Sequence, residues 1–162
     1  MYVFEVGGEI EYRKREAWHK ELLERVLSSV RCGILRFSFE NDQQKITLAN
    51  PAAWKLLGFE KEEECLNKSL YDILPHIHPE DRMMVLKYHC MLTKENDRCE
   101  CEFRVDNGHN GYRRLDAVLQ CLRDSSGNHL IQVTLTDITL QHQLMQRITR
   151  SWRHCLPWMH LW

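Results

Sequence analysis

The chain has 162 residues, the size of one ordinary domain with one hydrophobic core. Hydrophobic residues make up 43% of it and charged residues 28%, as in folded globular proteins, so the composition argues against disorder. The net charge of -1 excludes the strongly basic balance typical of nucleic-acid-binding proteins. The seven cysteines are an odd number with no export signal before them, which predicts a reducing, cytoplasmic location, and no apolar run is long enough to span a membrane.

The amino-terminal third begins with two different patterns. Residues 1–9 predict a short strand remnant that ends at Gly7 and Gly8. Residues 10–30 predict an amphipathic linker helix, because Trp18, Leu22 and Val26 follow one another at helical spacing. This apolar stripe has two interpretations, a helix packed on its own domain or a helix that pairs with its twin in a dimer.

The middle of the chain predicts a hairpin followed by short helices. Strand patterns at 33–39 and 45–49 flank a polar turn. Asn50 and Pro51 then predict the start of a helix, since asparagine is a favoured N-cap and proline fits the first helical position. A further short helical segment is predicted at 62–74, and a longer helix is predicted from the segment 78–82 to about residue 91.

The last third predicts three strands and a final helix. Residues 99–105 alternate between apolar and polar, and further strands are expected at 112–122 and 130–136. Asp137 is expected to cap a helix over 138–150, and residues 151–162 predict an irregular tail rich in tryptophan. Two strands, a block of helices and three more strands predict an α+β fold with an antiparallel sheet.

Several short motifs, in this order, resemble the PAS family. They are Leu48-Ala49-Asn50-Pro51-Ala52, Ser69-Leu70-Tyr71-Asp72, His78-Pro79-Glu80-Asp81-Arg82, Glu102-Phe103-Arg104-Val105 and Thr136-Asp137-Ile138-Thr139. The resemblance covers about residues 31–140. It implies a five-stranded antiparallel sheet whose short helices lie on one face and enclose a pocket, with the flanking helices used to transmit signals. The domain is therefore expected at 31–137 and an output linker helix at 138–150.

A second resemblance lies within the chain. Residues 2–11 can be aligned with residues 130–139, which form the predicted last strand and the start of the final helix. Residues 1–9 therefore resemble the last strand of a preceding PAS unit, and the chain is then part of a longer tandem sensor.

Strand alternation and helix position predict which side chains face the interior. We expect these to include Phe37, Trp54, Leu57, Ile73, Met84, Tyr88, Phe103, Leu119, Cys121, Val133 and Leu135. They either fill the core or line a small-molecule pocket, and the sequence leaves both interpretations open.

The residues favour no particular cofactor. His89 lies on the longer helix, where a haem-binding relative would place an axial ligand, but one helical histidine is a weak signal. Flavin is disfavoured, because Cys65 lacks the sequence that surrounds the reactive cysteine in light-sensing relatives. The histidine and cysteine pairs lack zinc-type spacing, so no metal site is predicted.

The resemblance implies a sensory module without catalytic machinery of its own. We expect Asp137, Ile138 and Thr139 to transmit the signal to the final helix, the flanking helices to form a homodimer, and a kinase or cyclase output domain to follow in the same protein. Two alternatives remain, a haem-bound gas or redox sensor and a truncated fragment of a histidine kinase or diguanylate cyclase. His142 and His154 lack the surroundings of a kinase phosphoacceptor.

Overall fold

The computed structural model describes residues 2–41, 43–106 and 108–155, and side chains within those ranges from residue 7 to residue 152. The helices are α1 (Tyr2–Ser29), α2 (Pro51–Leu56), α3 (Glu62–Cys65), α4 (Leu70–Ile73), α5 (Pro79–Met91) and α6 (Thr139–Cys155), with a 3-10 turn at Leu74–His76. The strands are β1 (Gly33–Glu40), β2 (Gln43–Ala49), β3 (Arg98–Asp106), β4 (Tyr112–Arg123) and β5 (His129–Asp137).

The five strands form one antiparallel sheet in the order β2-β1-β5-β4-β3, which confirms the predicted fold class. Alternate residues of β1, β3, β4 and β5 are buried beneath the helices, as Leu115, Ala117 and Leu119 are on β4. Because side chains alternate between the two faces of a strand, this pattern places the core on one face of the sheet. Among the residues described, no helix combines the length and the apolar character needed to cross a bilayer.

Local capping signals start the helices, and the predicted N-cap at Asn50 is among them. Asn50 caps α2 through its side chain, with Pro51 in the first turn, and Gly58 follows that helix with a φ of 88°. Ser69 and Asp72 form a reciprocal capping box that starts α4. His78 is the N-cap of α5, and its ring nitrogen accepts a hydrogen bond from the Glu80 N–H.

Two predictions about the ends of the chain are wrong. Residues 2–9 belong to α1 and form no strand, because a strand satisfies its backbone groups only beside a partner whereas a helix satisfies them internally. Residues 151–155, predicted to be irregular, continue α6 to Cys155. The rest of the predicted tryptophan-rich tail, 156–162, lies outside the described residues, and the domain division drawn from the sequence stays a prediction.

Asn50 connects three parts of the fold through one buried side chain. Its Oδ1 accepts hydrogen bonds from the N–H groups of Ile34 (2.8 Å) and Ala53 (2.9 Å). Its Nδ2 donates to the carbonyl oxygens of Leu27 (3.1 Å) and Cys32 (3.0 Å). The amide thus ties the end of α1 to β1 and α2, and its hydrogen-bonding groups are satisfied although the residue is only 3% exposed.

Gly33 allows α2 and β1 to approach closely beside this amide. A Cβ atom at position 33 would lie 2.8 Å from the Cα of Ala53, which is shorter than real contacts permit. The start of β1 is therefore held against α2 by both a glycine and a buried asparagine.

Replacing Asn50 by aspartate should loosen α1 selectively. Asn50→Asp keeps the acceptor for Ile34 and Ala53 but turns a carboxylate toward two carbonyl oxygens, so we expect a loss of about 2 kcal/mol in the free energy of unfolding. Hydrogen exchange should accelerate at the end of α1 more than in α2. Asn110→Asp makes the same change at an exposed turn and is the control. Equal protection of α1 in both variants would contradict the tethering role.

The candidate pocket and the strand-to-helix junction

The junction between β5 and α6 is held by the hydroxyl group of Thr139. This hydroxyl donates to Oδ1 of Asp137 (2.6 Å) and accepts a hydrogen bond from the backbone N–H of Arg114 (2.9 Å). The same Asp137 oxygen accepts from the Thr139 N–H (3.0 Å), and the Ile138 N–H donates to the Arg114 carbonyl oxygen (2.9 Å). The first residue of α6 thus forms hydrogen bonds with both β5 and β4.

The three residues predicted to transmit the signal lie together at this junction, and the backbone of Arg114 contacts two of them. Asp137 binds the first residue of α6 from one position outside the helix cap, since α6 begins at Thr139. Arg114 was missed because its contribution comes from backbone groups, which no side-chain motif reveals. Only the pairing of Leu115 with Asp137 in the sheet places it there.

The interior beneath the helices is almost filled. Its remaining cavity has a volume of about 40 Å³, room for about one water molecule. Seven of the predicted pocket residues line it, namely Phe37, Leu57, Ile73, Phe103, Leu119, Val133 and Leu135. In this arrangement they act as core, and their role in binding a ligand stays a prediction.

The other predicted pocket residues lie outside this cavity. Met84 and Tyr88 are half-buried, while their neighbours Val85 and His89 face the interior. Each residue turns a helix by about 100°, so the inner face of α5 is displaced by one position from the predicted one. Trp54 lies beside the inward-facing Ala53 in the same way, and Cys121 is buried without lining the cavity.

His89 is the buried polar group closest to the cavity. It is 7% exposed, its ring packs edge-on against Phe37 with the centroids 5.2 Å apart, and its Nε2 contacts the side-chain amide nitrogen of Gln44. Burial lowers the pKa of His89 from 6.5 to about 4. The imidazole is therefore neutral near pH 7 and can accept a hydrogen bond from Gln44 at Nε2.

The same geometry bears on the cofactor and metal hypotheses. Haem does not fit the interior as a ligand of His89, because Nε2 of that residue is directed at Gln44 and the cavity has a volume of only about 40 Å³. Burial raises the pKa of Cys65 and of Cys101 to about 11, so both thiols stay protonated at neutral pH. Among the side chains described, no group of three or more histidine, cysteine, aspartate or glutamate residues is placed to bind a metal.

His89 should make the protein less stable in mild acid. The unfolded chain binds a proton near pH 6.5 and the folded protein only near pH 4, so stability falls as the pH decreases between these values. The full difference corresponds to about 3 kcal/mol. Urea unfolding at pH 7 and pH 4.5 should show most of this loss in the wild type and a much smaller one in His89→Gln.

His19→Gln, which removes an exposed imidazole of α1, is the control for that measurement. An equal loss in wild type and His89→Gln would mean that another group causes the acid sensitivity.

Comparison with known proteins supports the fold directly. The PAS fold family model matches residues 21–138, while curated protein sequences contain no significant match. The PAS domain of an HTR-like protein from Haloarcula marismortui aligns with a TM-score of 0.59 and 17% identity, covering 79% of this chain and 98% of that one.

Two bacterial structures agree with this result. The amino-terminal domain of a diguanylate cyclase with a PAS/PAC sensor from Marinobacter aquaeolei has a TM-score of 0.54 and 21% identity, over 67% of this chain and 98% of that one. A sensory box histidine kinase/response regulator from Burkholderia thailandensis has a TM-score of 0.54 and 20% identity, over 83% and 98%. At these identities the likeness shows the fold, and the family match extends over most of the sequence. This chain belongs to the PAS family of sensory domains.

Proposed function

We propose that this chain is a cytoplasmic relay module, in which a change in the sheet, caused by a small ligand or by protein contact, alters the position of α6. The observation that carries this proposal is the Thr139 hydroxyl, which bonds to Asp137 of β5 and to the backbone of Arg114 in β4. A displacement of either strand changes the anchoring of the first turn of α6. A ligand that binds one sheet arrangement better than another would therefore shift the helix.

Catalysis would belong to an output domain in the same protein. The Marinobacter and Burkholderia proteins that share this fold are named as a diguanylate cyclase and a histidine kinase. We propose an output domain of one of these classes for this chain, joined through α6. The cavity around His89 favours neither haem nor flavin, so the haem-sensor hypothesis has no supporting observation.

The flanking helices are proposed to pair with those of a second copy. On α6 the side chains of Leu140, Leu144, Ile148 and Trp152 recur every four residues and are 69%, 48%, 50% and 63% exposed. On α1 the predicted stripe is exposed too, which argues against packing on its own domain. Two apolar stripes on helices that leave one end of the sheet are suited to a symmetric pairing that buries both.

Replacing Thr139 by valine should loosen the junction. Thr139→Val keeps the shape but removes the hydroxyl, which leaves the part-buried Arg114 N–H without its acceptor. We expect a loss of about 1–3 kcal/mol in unfolding free energy and faster hydrogen exchange in the first turn of α6. Thr136→Val, at an exposed position of β5, is the matched control and should change neither quantity.

The relay itself is tested by a double-mutant cycle. Val133→Ala perturbs the buried face of β5. The rate of hydrogen exchange in the first turn of α6 then shows whether this perturbation affects the helix. We expect this response to be lost in the Thr139→Val background, with a coupling of at least about 0.5 kcal/mol between the two positions. Additive effects of the two substitutions would refute the relay.

Dimerisation is tested on the apolar stripe of α6. Ile148→Glu places a charge in the middle of the stripe, whereas Gln146→Glu places the same charge on the opposite side of the helix. Native mass spectrometry at increasing concentration should show a dimer for the wild type and for Gln146→Glu, and at least tenfold weaker association for Ile148→Glu. A monomeric wild type at high micromolar concentration would exclude the pairing.

A further inference from the structure

A second, larger space lies on the outside of the helical layer. This hairpin groove runs between the β1–β2 hairpin, α4 and the carboxyl-terminal half of α5, and has a volume of about 710 Å³. That volume is in the range of small-molecule sites, whereas the interior cavity is smaller by more than an order of magnitude. Of the two spaces, only the groove has room for a small organic molecule in this arrangement.

The hairpin groove has an apolar floor and aromatic edges. Leu70, Leu92 and Ile131 line it and are themselves buried. Phe39 and Tyr71 line it from the hairpin and from α4, and are 40% and 72% exposed. Exposed aromatic rings beside an apolar floor would lose contact with water when an apolar or aromatic body enters.

The charges along the hairpin groove favour an anion. Lys45 lines it and forms no ion pair among the described side chains. The carboxylate that also lines it, Asp72, accepts hydrogen bonds from the N–H and the hydroxyl of Ser69 in the capping box. Those hydrogen bonds lower the pKa of Asp72, so its carboxylate stays ionised, and they hold its Oδ2 at the start of α4. The Lys45 ammonium group has no ion-pair partner among the described side chains, and a ligand carboxylate would supply one.

The hairpin groove is connected to the core through shared side chains. Leu70 and His89 line both the groove and the interior cavity, and Gln44 contacts His89 from the groove side. His89 in turn packs on Phe37 of β1, a strand paired with β5. A ligand that moves Gln44 would therefore disturb a buried contact next to the central strands.

We propose that the hairpin groove binds a small organic anion, a carboxylate with an aromatic or apolar body, whose charged end lies at Lys45 and whose body lies on Phe39 and Leu70. The site supplies the proposed relay with a class of ligand and a place where the ligand binds. Binding can be tested without the relay, whereas the sensory purpose of binding rests on the proposed function. Gln44 and His89 transmit occupancy of the groove to the sheet.

The proposal is tested by amide NMR titrations with hydrocinnamate and two probes of similar shape, hydrocinnamyl alcohol and phenylpropylammonium. Hydrocinnamate should bind most tightly and shift the amides of residues 43–45 and 89–93. Lys45→Met should weaken hydrocinnamate binding about fivefold or more and leave alcohol binding unchanged. Phe39→Ala should weaken both. Lys61→Met, which removes a lysine outside the groove, should change neither.

Each contrary result would overturn a different part of the proposal. Equal affinity for the acid, the alcohol and the ammonium probe would overturn the anion class, and shifts confined to the interior strands would overturn the groove as the site. Absence of binding at millimolar hydrocinnamate would overturn the proposal as a whole. None of these results concerns the junction, because the Thr139→Val experiment requires no ligand, so failure of the site and failure of the relay are distinguishable.

Discussion

The antiparallel pairing of β1 with β5 is the constraint on which the rest of the molecule depends. In this pairing Gly33, near the end of α1, lies opposite Leu135, near the start of α6. Both helical extensions therefore leave the sheet at the same end, although more than a hundred residues separate them in sequence. The two polar junctions, at Asn50 and at Thr139, are located where these extensions meet the sheet.

Both junctions use hydrogen bonds between a side chain and the backbone where apolar packing would be less specific. A buried amide with four partners holds the end of α1 in one position, since any rotation leaves a donor or acceptor unpaired. The threonine hydroxyl has the same property on a smaller scale, because it donates and accepts at once. Such contacts suit the proposed relay, in which the position of a helix is the output, because they define one orientation for that helix.

The filled interior changes where a signal is expected to arise. With room for about one water molecule, the core acts as a packed unit that transmits displacements. The larger space lies outside it, and His89 stands between the two. A neutral, buried histidine is sensitive to any change that would bring water or charge to it, which makes it a natural point of contact between the hairpin groove and the sheet.

The sequence by itself determined the order of the elements from β1 to α6, because strand alternation, the Asn50-Pro51 start of α2 and the motif 78–82 are local signals. It also determined the family, since its motifs occur in a fixed order over most of the chain. It did not determine which side of α5 faces inward, as Met84 with Tyr88 and Val85 with His89 are equally well spaced for a helix. Only tertiary packing chose between those pairs, brought the backbone of Arg114 to Thr139, and closed the interior while leaving a groove outside it. These outcomes depend on contacts between residues far apart in the chain, which local spacing does not encode.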